Sequence, residues 1–121
     1  MANKGFIRQT IELIGFDLSD VLTAEQWRDI SACKYLTENF IREFKDYVDW
    51  DCVSGNQKLS ENFIREFKDY VNWFYISTYQ NLSEDFIREF KDYVDWGRIL
   101  CHQSLSEDFI KEFEDRVKII A

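Results

Sequence analysis

Cys101 and His102 stand side by side, and this is the one place in the chain where a cysteine adjoins a histidine. These are residue types that ligate metals or carry nucleophilic catalysis. On a helix, adjacent side chains point about 100° apart, which is poor for chelation. Cys33 and Cys52 do not supply the missing ligands. Each cysteine falls at a different offset from the nearest of Trp27, Trp50 and Trp96, so the three thiols form no ladder. Three is also an odd number without framework spacing, which favours unpaired thiols in a reducing compartment. Nucleophilic catalysis would need a base beside a serine or cysteine. His102 is the sole histidine, and the four glycines are too scattered to build a phosphate loop. Carboxylates are plentiful, but on a solvated face they mostly serve solubility. The residues therefore assign no catalytic group, no metal site and no cofactor, and the expectation is that the protein is not an enzyme.

What must position these residues is a repeat. The nine residues FIREFKDYV occupy 40–48, 63–71 and 86–94 without change, in two steps of 23. Periods of 20–50 residues signal solenoids, in which each unit buries its apolar face against its neighbours. Three full units run 36–58, 59–81 and 82–104, and a truncated one runs 105–121. Residues 1–35 depart from the pattern. Phe6-Ile7-Arg8 echoes the motif out of register, whereas Trp27 and Ile30 are in register, so this segment is expected to be a degenerate N-terminal cap of one 1–121 domain.

Within a unit, Thr37, Ser60, Ser83 and Ser106 are suited to capping a first helix, each followed by a glutamate that complements the helix dipole. Phe63, Ile64, Phe67, Tyr70 and Val71 follow helical spacing, which predicts a first helix of about 11–13 residues. Asp49, Asn72 and Asp95 then cap a second helix of about 6–8 residues that opens on Trp50, Trp73 or Trp96. The chain contains no proline, which suits closely spaced helices. The fold class expected is all-α, a helical-repeat solenoid of short helix pairs with about four units. In the last unit Arg116 replaces the tyrosine of earlier units and Glu114 answers Lys91, polar changes fitting for a terminal unit with no successor.

LSEDFIREFKDYVDW, with the junction YISTYQNLSEDF, resembles the 23-residue helical tandem repeats of giant DNA viruses and of scattered phage and bacterial proteins. The match runs from Leu36 to about Val117. The resemblance implies a helical repeat of viral or mobile-element origin, and implies no activity.

Composition narrows the partners. A net charge of −8 argues against direct nucleic-acid binding, which needs a basic face. No run approaches the roughly 18 apolar residues of a membrane span, and MANKGFIRQT lacks the apolar core of a signal peptide, so a soluble, cytoplasmic protein is expected. The partner expected is a protein. Two features could meet it. Glu38, Glu61, Glu84 and Glu107 recur at the helix starts and would line one acidic edge, able to engage a nucleic-acid-binding host factor with a basic groove. Mimicry of duplex DNA could only be partial, because duplex over the roughly 45 Å of stacked units carries about 26 negative charges against a net −8 here. The second feature is the segment after each tryptophan, DCVSGNQK, FYISTYQN and GRILCHQS, which varies while the first helix does not. Its variable positions are Asp51, Asn56, Phe74, Tyr75, Tyr79, Arg98 and His102, a candidate binding surface whose alternative is relaxed constraint on exposed turns. The function expected is inhibition of a host factor by a non-enzymatic binding protein; the alternative is a purely structural helical-repeat scaffold.

Overall fold

A computed structural model describes residues 22–33 and 36–118. Among these residues every regular element is helical, and there are nine helices. They are α1 (Ala24–Ser31), α2 (Glu38–Glu43), α3 (Trp50–Asn56), α4 (Glu61–Glu66), α5 (Trp73–Tyr79), α6 (Glu84–Glu89), α7 (Trp96–His102), α8 (Glu107–Glu112) and α9 (Glu114–Lys118). The even-numbered helices are the first helices of the four units. The expected N-terminal cap can be followed only in part, since residues 1–21, including Phe6-Ile7-Arg8, lie outside the described residues.

The caps anticipated from the sequence form. The hydroxyls of Thr37, Ser60, Ser83 and Ser106 accept from the amides of Phe40, Phe63, Phe86 and Phe109 at 3.0–3.1 Å. Asp49, Asn72 and Asp95 cap α3, α5 and α7 in the same way. Each cap satisfies an amide that the helix itself cannot.

The first helices are shorter than expected: six residues followed by a four-residue turn. The amide of Asn72 would continue the helix by donating to the carbonyl of Lys68. It donates instead to the Ser54 hydroxyl of the preceding unit at 2.9 Å, while the Trp73 indole N–H takes the Lys68 carbonyl at 2.9 Å. Asp49 with Ser31, and Asp95 with Ser77, are diverted likewise. Tertiary partners thus replace the helical ones. In the last unit Leu100 stands where those serines stand, and there the chain runs on as helix α9. Apolar spacing survives the turn, so the sequence presents a single stripe across it.

The second helices stack in chain order, α1 on α3, α3 on α5, α5 on α7, with α9 closing on α7. One continuous core lies between them and the first helices, with Phe40, Ile41, Phe63, Ile64, Phe86 and Ile87 almost fully buried. Each tryptophan slots against the next unit: Trp50 lies 5.2 Å from Phe67 and 5.4 Å from Tyr70, and Trp73 repeats this with Phe90 and Tyr93. Arg116 covers Trp96 in the tyrosine's place, its guanidinium 6.0 Å from the ring, and binds Lys91 and Asp92 besides.

Candidate partner-binding face

The short second helices have an inside and an outside. Counting from each tryptophan, the third and fourth positions face the core: Ile30, Val53, Ile76 and Ile99, then Ser31, Ser54 and Ser77, all essentially inaccessible. The seventh, Gln57 and Gln80, is also buried. These are the positions that change least between units. The first, second, fifth and sixth positions point away from the core and are the ones that change. All seven variable residues singled out above, Asp51, Asn56, Phe74, Tyr75, Tyr79, Arg98 and His102, occupy this outer face. The variation is therefore partitioned by direction along a helix only seven residues long.

Between α3 and α5 the outer face sinks into a groove of about 350 Å³ lined by Asp51, Cys52, Gly55, Asn56, Tyr75 and Tyr79. The rings of Tyr75 and Tyr79 stack at 6.2 Å with 23° between their planes, and Phe74 meets Tyr75 edge-on. Phe74 and Tyr79 stay 45% and 64% exposed, as Tyr47, Tyr70 and Tyr93 are at 63%, 40% and 41% on the turns after the first helices. Asp51 accepts from the Asn72 side-chain amide at 2.7 Å, which fixes the carboxylate at the groove rim. On the far side of α5 the Arg98 guanidinium lies over Phe74, 5.1 Å from its centroid. His102 is exposed at the end of α7.

Gly55 and Cys52 belong to the groove although the sequence did not mark them. At the position of Gly55 the other units carry Ala32, Thr78 and Cys101, so aligning the units would have shown glycine where a side chain is accepted. A Cβ built at Gly55 would meet Tyr79 Cδ2 at 3.7 Å and Tyr75 Cγ at 3.8 Å, ordinary van der Waals contacts. The glycine leaves the two ring faces uncovered on that side.

The carboxylates expected to form an acidic edge have intramolecular partners. Glu38 accepts from the amide and hydroxyl of Ser60 at 2.7 and 3.1 Å, Glu61 from those of Ser83 at 2.6 and 3.1 Å, and Glu84 from those of Ser106 at 2.5 and 3.1 Å. Both oxygens of each clasp the cap of the following unit. Glu107 is exposed. Beside this runs a second ladder: Arg42, Arg65 and Arg88 each make paired hydrogen bonds of 2.8–2.9 Å to Glu66, Glu89 and Glu112. The guanidinium bonds hold those three carboxyls below the ordinary glutamate range.

The thiols are unpaired. Burial, with the Asp49 carboxylate adding to it, pushes the Cys52 thiol up and keeps it protonated at neutral pH. Among the described residues no group of three or more histidine, cysteine, aspartate and glutamate side chains is placed to hold a metal ion. No helix among them is long and apolar enough to cross a membrane.

No family model matches the chain, and neither the curated proteins nor the solved structures contain a match. The helical-repeat character rests on the geometry just described.

Proposed function

We propose that this chain is a non-enzymatic binding protein that engages a protein partner through the outer face of its second helices. One observation carries the reading: variation between units falls on outward positions, and at the centre of that face Tyr75 and Tyr79 line a groove, with Phe74 edge-on to Tyr75. Exposed aromatics beside a concavity are what anchor protein interfaces. Glu38, Glu61 and Glu84 are engaged in joining units, so the proposal gives the principal contacts to Phe74, Tyr75 and Tyr79, with Arg98 and His102 flanking them. Glu107 and the net charge of −8 add attraction for a basic partner. The net charge of −8 favours a partner with a basic groove, and the resemblance of the repeat to those of giant DNA viruses makes the host cytoplasm the setting, with inhibition of that host factor as the proposed purpose. The uniform ladders between units favour a second reading, a scaffold that only spaces other elements.

Affinity capture from host lysate, run with the native chain and with a Phe74→Ser, Tyr75→Ser, Tyr79→Ser variant, separates the two. A binding protein loses its captured set in the variant, and an aromatic-anchored contact persists at a few hundred millimolar salt. A scaffold captures alike in both.

A further inference from the structure

We infer that the groove between α3 and α5 takes a cationic side chain, an arginine or lysine of the partner, against the faces of Tyr75 and Tyr79 with Asp51 at its rim. This rests on the reading that the outer face binds a protein, and adds the chemistry of the contact.

The lining residues set the choice. Two stacked phenol rings present π faces, which attract cations through their quadrupoles. Asp51 Oδ1 is taken by Asn72, and the second carboxylate oxygen remains to accept from a guanidinium or ammonium. An apolar anchor would desolvate Asp51 and Asn56 without repaying them. No lining residue is basic. Arg28 pairs with Asp49 at 3.7 Å and Arg98 lies over Phe74. A cation from outside therefore meets no like charge in the groove itself.

The chain uses the same chemistry on itself. Lys45 sits 5.4 Å from the Tyr70 ring centroid and Lys68 sits 5.6 Å from that of Tyr93, while Arg42, Arg65 and Arg88 cover Phe63, Phe86 and Phe109. Tyr75 and Tyr79 carry no such cation among the described residues. Gly55 fits the same picture. Glycine within a helix is less favourable than alanine, Thr78 and Cys101 demonstrate that the fold accepts a side chain there, and only a small residue leaves the rings open.

The test titrates the ¹⁵N-labelled full chain with acetyl-Gly-Arg-Gly-amide, its lysine counterpart and its neutral citrulline isostere, following backbone amide shifts. The arginine and lysine peptides are expected to move Gly55, Tyr75 and Tyr79, with citrulline weaker by about fivefold. Asp51→Asn removes charge from an exposed side chain, and Gly55→Leu fills the groove by addition, so neither depends on a core change. Each is expected to weaken the arginine peptide by about fivefold. Equal shifts from citrulline, or shifts centred on Glu107 and Asp108, would overturn the assignment. Should that happen while Phe74, Tyr75 and Tyr79 still govern partner capture, only the cation is wrong; capture indifferent to those three removes the binding face as well.

Discussion

Gln80 donates its side-chain amide to the main-chain carbonyl of Gln57, 2.7 Å away and one full unit upstream, and Gln103 repeats this on Gln80 at 2.8 Å. The same nitrogen of Gln80 also reaches the Ser54 carbonyl, and its side-chain oxygen accepts from the Leu59 amide. Gln57 starts the ladder on the carbonyls of Ser31 and Cys33. Each buried glutamine thus closes the C-terminal end of one second helix onto the next, where carbonyls would otherwise lie unpaired out of reach of water.

Gln80→Ala strands two carbonyls and one amide in a buried site. Buried polar groups without partners are costly, and the loss expected is about 2–4 kcal/mol. Urea unfolding measures it, with Asn81→Ala, at an exposed position, as the control. A loss no larger than the control's would remove the ladder from the stability of the fold.

Phe67 lies under Trp50 and is 4% exposed, so Phe67→Ala should cost about 3–5 kcal/mol through lost burial and a residual cavity. Arg116→Ala, at the end of the stack, should cost under about 1 kcal/mol despite its contact with Trp96. Equally mild unfolding curves for both would mean that the aromatic stripe is not the core.

The arginine ladder should appear as an acid dependence. Glu66, Glu89 and Glu112 are each held below their ordinary value of 4.5 by a guanidinium. Their contribution is present above that value and is lost as pH falls through the lowered values. Thermal melts from pH 7 to pH 3 should show the decline beginning near the ordinary glutamate range. A Glu66→Gln, Glu89→Gln, Glu112→Gln variant should start less stable at pH 7 and decline less steeply. Parallel curves would place the acid sensitivity elsewhere.

Gly55→Ala should stabilise the chain by about 0.5–1 kcal/mol, because α3 gains a better helix former and the added methyl meets nothing closer than 3.7 Å. A lower melting temperature would mean that the Tyr75 and Tyr79 rings are less accommodating than their distances indicate.

Much of this fold was legible because local and tertiary demands agree. Ser60 caps a helix whatever surrounds it, and Phe63 and Ile64 are apolar at helical spacing and duly buried. The length of the first helix was not legible, since it ends where Ser54, from another unit, captures the Asn72 amide. The sequence presents Glu61 as an edge for partners, because a carboxylate in a first turn looks alike whether it meets solvent or, as here, the next unit's Ser83. Ser54 and Gln80 are polar residues with buried roles, and only the recurrence at fixed offsets from tryptophan hints at them. The variable residues were found by comparing units, but the groove among them depends on Gly55, whose contribution is the absence of a side chain.

The claim that the outer face is where a partner sits can be measured by photocrosslinking. A benzoyl-phenylalanine would be placed at Tyr79, on the outer face of α5, and separately at Asn62, exposed on α4 of the same unit. Both proteins would be irradiated in host cells and their adducts compared. Adducts of defined mass from position 79 and none from position 62 are expected. Adducts from position 62 alone, or equally from both, would contradict a binding face built on the second helices.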